Sequence, residues 1–482
     1  MREIRPRRIH RLLTRAARLI SVLLAVPAIA QPFSPEESRA QIQIEDGFKI
    51  EVFAAEPDVV DPVAITFDEN GAVYVAEMRE MEVLPALEPG TQATIRRLED
   101  RDGDGRIERS TVFATGLSFP SGLAPYKGGL FAMCTPDLLY LKDTDGDGRA
   151  DERRVVLAGF GQGNAEHRFN NLAWGLDNWL HSANGHGGGK VKDPSRADAP
   201  TVDLSGRDLR IQPSDGSYEA EARQLPGGFG LAFDQWGRKF VSQNETHVMH
   251  VVLAERYVAR NPYLAVSAMG EDISDHGQPD APVFPISRPQ AWRIERTSRR
   301  AAKEADKFRP SQLQVSGYFT AACGVTAYLA ELFPESHRGS LFVCDAAHNL
   351  VHRDTLSEVG ASLRASRPDR ETEFLRSTDS WFRPVNLHLG PDGALYLLDF
   401  YREIIETAAS IPEDILAKLD LRAGADRGRI YRIVPDSHRE PYRPPMLGGL
   451  TSEDLVAKLA DGNAWVRLTA QRLLLEREAR ET

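Results

Sequence analysis

The sequence predicts an all-β chain: a six-bladed β-propeller with a short α-helical segment at its C-terminal end. Three observations carry this. A strand, tight turn, strand unit recurs six times; four of the five intervals between copies are about 50 to 60 residues, the size of one four-stranded blade; and the period-2 hydrophobic pattern gives way to helical spacing only after Pro445. A propeller portion of roughly 400 residues is too long for one ordinary core, so repetition is the expected way to build it.

The chain opens on seven arginines between Arg2 and Arg18, followed by an apolar run from Leu19 to Ala30 that closes on Ala28-Ile29-Ala30. This is the pattern of a secretory signal cleaved near Ala30. The run falls well short of the ~20 residues a membrane-spanning helix needs, so residues 1–30 are read as a signal peptide and the mature chain as exported, periplasmic or at the cell surface. Without that segment 52 basic residues face 69 acidic ones, a formal net charge of −17. Such a surface repels nucleic acid. Three cysteines, Cys134, Cys323 and Cys344, are too few for a disulfide scaffold; Cys323 and Cys344 are candidates for a pair or for buried thiols. Cys-x-x-Cys-His is absent from the sequence, which excludes the usual attachment of a c-type haem to this chain.

The propeller is assigned to residues 31–445. Its unit is plainest in Pro62 to Val75, where the turn glycine follows the first position by nine residues; the same offset returns in Pro120 to Gly129, Gly228 to Gly237 and Pro384 to Gly393. A shorter copy starts at Asn170 and a longer one runs from Gly324 to Val343. The one long interval holds a polar, proline-bearing stretch, about 256–314, read as an insertion large enough to contain a seventh blade. Phe48 to Phe53 and Arg429 to Val434 are strands that can pair to close the ring, which hides sheet edges. After it, residues 446–482 carry Leu455, Leu459, Val466, Leu468, Leu473 and Leu475 at helical spacing. This reads as the start of a HEAT-like repeat, and a lone helix pair of that kind is expected to add little buried area to a closed propeller.

Two loops carry metal chemistry. Asp100, Asp102, Asp104 and Glu108 stand at positions 1, 3, 5 and 9 of one, and Asp143, Asp145, Asp147 and Asp151 at the same positions of the other, each with glycine at position 6. Alternating carboxylates around a sharp turn converge oxygen ligands on a hard cation, so both are candidate Ca2+ loops. Thr111 and Arg154 stand where an EF-hand has its bidentate Glu, which makes these structural loops between strands.

The segment His167-Arg-Phe-Asn-Asn-Leu-Ala-Trp-Gly-Leu-Asp-Asn-Trp-Leu180 resembles the His-x-Gly-Gly-x-Leu-x-Phe-Gly-x-Asp-Gly-x-Leu stretch of the glucose and sorbosone dehydrogenases, soluble six-bladed quinoproteins that bind pyrroloquinoline quinone (PQQ). The resemblance implies that His167 takes the proton of a sugar hydroxyl, a role suited to an imidazole. Asn170 and Asn171 replace the glycines, so a cofactor packed there would meet side chains. Over nearly the whole mature chain, through Ala54-Ala-Glu-Pro57, both Asp-x-Asp-Gly-Asp-Gly loops, Trp174 to Trp179, Ala347 to Arg353, Trp381 to Val385, Tyr401-Arg402 and Gly428 to Ile433, the sequence also resembles the N-terminal propeller module of planctomycete-type "membrane-bound dehydrogenase" proteins. In those proteins HEAT-like repeats and a haem-binding cytochrome c domain follow. The implied partners are a sugar or small polyol substrate and a cytochrome c-type electron acceptor on another chain or further domain.

Arg383, Arg402 and Arg168 are candidates for holding the carboxylates of PQQ, because guanidinium grips carboxylate in two-pronged fashion; blade-to-blade ion pairs are the competing role. Tyr401 to Glu406 resembles a family stretch that continues with histidine, here Thr407. His247 and His250 fall on opposite faces of a strand, and His348 and His352 share a face without a third ligand beside them. His181 and His186 are candidates for the channel lining. The leading expectation is a PQQ-type oxidoreductase; the alternative is a non-catalytic, calcium-stabilised propeller that binds carbohydrate or a protein partner, and fold alone does not choose.

Overall fold

The computed structural model describes residues 32–79, 93–102, 106–223, 227–266 and 268–478; the expected signal peptide lies outside them. Six antiparallel sheets form six blades, whose inner strands are Pro62–Phe67, Pro120–Tyr126, Asn170–Trp174, Leu231–Phe233, Ala322–Ala327 and Pro384–Leu389. Each corresponds to one sequence copy. No seventh sheet occurs among the described residues. Residues 256–314 supply the fourth strand of blade 4, Gly270–Asp272, and then a helix, α1 (Ala291–Lys303).

The repeated turn has a chemical basis. Asp68 accepts hydrogen bonds from the amides of Asn70 and Ala72, and Asp234 does the same for Trp236 and Arg238. The carboxylate shapes the reversal between first and second strands. Gly71 closes the first turn at φ +84°, and in the third copy Asn178 adopts φ +65° in its place, a conformation asparagine tolerates better than other side chains.

The ring closes by joining chain ends. Phe48–Ala55 runs antiparallel to Arg429–Pro435, pairing Phe48 with Pro435 and Ala55 with Arg429, so an N-terminal strand is the outer edge of blade 6. Upstream, Ile42–Ile44 extends blade 5 beside Leu375–Ser377. Cys323 and Cys344 are not joined in a disulfide; they face each other in register on neighbouring strands, and burial raises the pKa of both. No helix among the described residues is long and apolar enough to cross a membrane.

The C-terminal helices correct one expectation. α2 (Ser452–Lys458) and α3 (Ala464–Glu476) do not stand apart from the propeller: Leu455, Trp465, Val466, Ala470 and Leu473 are buried in the same apolar cluster as the strands of blades 1, 2 and 6. Ala464, Trp465, Leu468 and Arg472 lie over the ends of the inner strands, beside Phe67, Leu389 and Trp174. Polar ties fix the seat. Asn463 donates to the carbonyls of Gly390 and Pro391 at 2.9 and 3.1 Å, and Arg472 meets Glu69 at 2.9 Å. The helix pair plugs one mouth of the channel, because its apolar stripe finds there the ring of strand ends that a repeat array would otherwise supply. Trp465→Ala should therefore destabilise the protein by about 3–5 kcal/mol in denaturant unfolding, as large aromatic truncations do, and deletion from Gly448 onward should lower the melting temperature; parent-like midpoints for both variants would show the plug to be dispensable.

Candidate functional site

At the opposite mouth, where inner strands begin, lies a cavity of about 320 Å³ bounded by Val63, Phe229, Ala322 and Val385. That is the lower end of the size range for small-molecule sites. Helix α1 lies across it. The residue before the helix, Gln290, donates to the carbonyl of Glu403 and accepts from the indole N–H of Trp292. Trp292, Arg293, Arg296 and Thr297 form the buried face, recurring at the three- and four-residue spacing of one helical stripe. This stripe is basic where an ordinary packing helix would be apolar.

The guanidiniums differ in their partners. Arg296 pairs with Glu406 at 2.7 Å. Arg293 instead donates to the Ala347 carbonyl at 2.6 Å and to Thr320 Oγ1 at 3.4 Å, and Arg300 stacks over the Phe308 ring at 4.7 Å. Arg383 donates to the carbonyls of Arg402, Ala346 and Glu403 at 3.0, 3.1 and 2.5 Å. Among the described residues, no carboxylate lies within salt-bridge distance of Arg293, Arg300 or Arg383, and all three line the cavity. Burial, then the nearby Arg293 charge, pushes the Arg383 pKa down to about 10. The cavity is short of negative charge.

His167 and Glu166 complete the wall. They lie on the short turn Ala165–His167, which Asn164 caps by accepting from the Glu166 amide. The backbone there is held close: a side chain at Gly185 would strike the His167 carbonyl carbon at 2.5 Å, and the Gly187 amide donates to the His167 carbonyl at 2.8 Å. His167 Nδ1 is buried without a hydrogen-bond partner. Burial, then the His186 ring centred 5.3 Å away, lowers the His167 pKa, which favours the neutral imidazole. Burial and the neighbouring Glu406 carboxylate raise Glu166 to about 8.

Of the residues given catalytic or cofactor-holding roles from the sequence, His167 and Arg383 meet at this cavity, and Arg168 and Arg402 do not. Arg168 donates to the carbonyls of Gly163 and Gln162 and to Thr135 Oγ1 and lies over the Phe119 ring at 3.7 Å. Arg402 is fully buried and grips Asp61 with two bonds of 2.9 and 2.8 Å. Neither lines the cavity. His186 stands beside His167, whereas His181 is buried between Glu221 and Asp177. Asn170 bonds the carbonyls of Arg168 and Gly228, and Asn171 meets Asn386 on the plugged side of the channel, so the pair leaves the cavity open.

The acidic loops join third to fourth strands of blades 1 and 2, an end-to-end alternation that puts them opposite the cavity. Asp100, Asp102 and Glu108 bring oxygens within 4.8 Å of one another, as do Asp143, Asp145 and Asp151. Asp147 is not in its trio and accepts from the Arg149 amide; Asp104 lies outside the described residues. The sequence reading missed Arg293, Arg296 and Arg300. Their three- and four-residue spacing inside a stretch taken as insertion was the available signal.

A family described as "Domain of unknown function (DUF7133)" matches residues 34–437. No curated protein matches the chain. Among solved structures, the soluble aldose sugar dehydrogenase of Escherichia coli in its apo form is similar at 13% identity and a TM-score of 0.44, covering 80% of this chain and 99% of that one. The PQQ-bound aldose sugar dehydrogenase of Streptomyces coelicolor gives 16%, 0.40, 81% and 100%. A luciferin-regenerating enzyme gives 10%, 0.42, 83% and 98%. Likenesses at this level leave the reaction open.

The raised Glu166 has a measurable sign. Between its ordinary value of 4.5 and about 8 the folded protein holds a proton that the unfolded chain has released, so stability falls as pH rises across that window. Glu166→Gln should match the parent near pH 5 and exceed it near pH 8 by up to a few kcal/mol; equal denaturation midpoints at both pH values would contradict the assignment.

Proposed function

The chain belongs to the DUF7133 family, matched from residue 34 to 437, and on that footing we propose that it is a quinone-dependent oxidoreductase that holds PQQ in the arginine-lined cavity and acts on a sugar or small polyol. The observation that carries this is that, among the described residues, no carboxylate lies within salt-bridge distance of Arg293, Arg300 or Arg383 around one cavity, whose wall also includes His167 with its Nδ1 unpartnered. Guanidinium binds carboxylate through paired N–H donors, and a tricarboxylated quinone supplies the missing charge. When bound, such a quinone accepts the two electrons released by oxidation of an alcohol or aldehyde hydrate.

The protein's own groups divide the remaining work. Arg383, fixed by three backbone carbonyls, offers its remaining N–H groups in a set direction. In this reading Arg293 and Arg300 take the clamping role that the sequence suggested for Arg168 and Arg402. Helix α1 lies across the cavity and supplies Arg293 and Arg300 to its wall. His167, neutral at physiological pH, accepts the hydroxyl proton of the substrate at Nδ1. Protonated Glu166 adds no charge that would oppose an anionic ligand. Trp292 and Phe308 give the sugar apolar faces to stack against. A cytochrome c-type acceptor on another polypeptide or further domain would take up the electrons from such a quinone.

The same cavity would also suit an acidic saccharide bound without chemistry, and the test separates the two. Protein reconstituted with PQQ and Ca2+ should retain the quinone absorbance and support dye-linked oxidation of an aldose. Arg293→Ala should weaken quinone uptake, while His167→Ala should leave uptake intact and lower kcat by roughly 10² to 10⁴. Uptake of uronic acids with no quinone retention would replace the enzyme by the binding module.

We assign the two acidic trios to structural Ca2+. Three like charges within one loop repel each other until a cation joins them, so Ca2+ should raise the melting temperature and a Ca2+-selective chelator should lower it. Asp102→Ala combined with Asp145→Ala should abolish both effects. A parent protein indifferent to chelator would remove the assignment.

A further inference from the structure

Blade 4 is the thinnest of the six, with strands of three residues each: Leu231–Phe233, Lys239–Val241, Met249–Val251 and Gly270–Asp272. At its seam with blade 5 four side chains converge. His247 comes from the turn before Met249–Val251, His276 follows Gly270–Asp272, and His352 and Asp354 lie on the blade 5 strand Leu350–Val359. One nitrogen from each imidazole and an Asp354 oxygen all lie within 4.8 Å of one another. We propose that this cluster is a structural Zn2+ site that pins blade 4 to blade 5.

The geometry supports coordination. The Nε2 atoms of His247, His352 and His276 stand 2.8, 3.1 and 3.9 Å from the Asp354 carboxylate oxygens. Tetrahedral zinc with bonds of about 2.0–2.1 Å sets neighbouring ligand atoms about 3.3–3.4 Å apart, within that span. The three rings are centred 5.1 to 5.3 Å from each other, close enough to share one ion. Hydrogen bonding alone does not account for the cluster, because His276 Nε2 is buried with no partner while facing Asp354. The outer shell also has the form zinc histidines favour. His352 Nδ1 meets Glu373 at 2.8 Å, Glu373 is held in turn by Arg367, and His276 Nδ1 faces Asp275 at 3.4 Å. His247 lies flat against Phe319, 4.5 Å between centroids.

Three imidazoles and a carboxylate select a borderline transition ion over Ca2+, whose ligands are oxygens. Four protein ligands and near-complete burial leave no open position for substrate, so the role is structural. The site is distinct from the arginine-lined cavity, whose wall contains none of the four residues.

The full chain, loaded with Zn2+ and dialysed, should hold one zinc at this site by X-ray absorption, with a first shell of three imidazole nitrogens and one oxygen. His276→Ala should weaken zinc binding at least 100-fold, and a zinc-selective chelator should lower the melting temperature of the parent but not of this variant. Asp275→Asn, on an exposed side chain that leaves the ligands and fold in place, should weaken zinc binding about 10- to 100-fold. A parent that retains no zinc, a first shell without imidazole, or equal zinc affinity in the parent and Asp275→Asn overturns the proposal.

Discussion

The structure depends on the seam where its two ends meet. The last blade reaches four strands only by recruiting the other end of the chain: Phe48–Ala55 completes a blade whose other three strands lie more than 300 residues later. Side chains reinforce the join. Asp61, entering blade 1, is gripped by Arg402 in a fully buried pair, and Glu56 binds both Arg427 and Arg429. Backbone packing there is just as close: a side chain at Gly428 would strike the Asp61 amide at 2.6 Å. A buried pair of this kind adds little net stability but is costly to break on one side, so it fixes which segments meet.

Closing the ring leaves two open mouths, and the chain covers them with helices of opposite chemistry. α3 presents Trp465, Val466 and Leu473 and merges with the apolar core. α1 presents Arg293, Arg296 and Arg300 and leaves a cavity. The difference lies in what each mouth offers. One displays apolar strand ends; the other displays the carbonyls of Ala346, Ala347 and Glu403 and the carboxylate of Glu406, which accept hydrogen bonds from guanidinium groups. One mouth is thereby plugged and the other holds a cavity.

The acidic loops and the histidines show how far a local pattern reaches. Carboxylates alternating around Asp100 and Asp143 stay close because neighbours along a tight turn stay neighbours in space: Asp100, Asp102 and Glu108 lie together, as do Asp143, Asp145 and Asp151. His247 and His352 were each considered with the wrong partner, His250 and His348. His250 bonds Ser362 and His348 bonds Asp345, while the true neighbours lie 105 residues apart in sequence.

What the sequence determined by itself was everything set by short-range spacing: six repeated hairpins, hence six blades, the strand that closes the ring, the acidic turns, and His167 at the start of its blade. Hairpin turns and period-2 alternation act between residues a few positions apart, so they are written locally. Only the tertiary structure decided which arginines face the cavity, that the terminal helices seal the channel, and that three histidines and Asp354 gather at one seam. A guanidinium looks alike in sequence whether it meets Asp61 across a blade junction, as Arg402 does, or a carbonyl and a hydroxyl at the wall of a cavity, as Arg293 does. That outcome is set by long-range packing, because the charge left without a partner depends on which distant carboxylates the closed ring brings within reach.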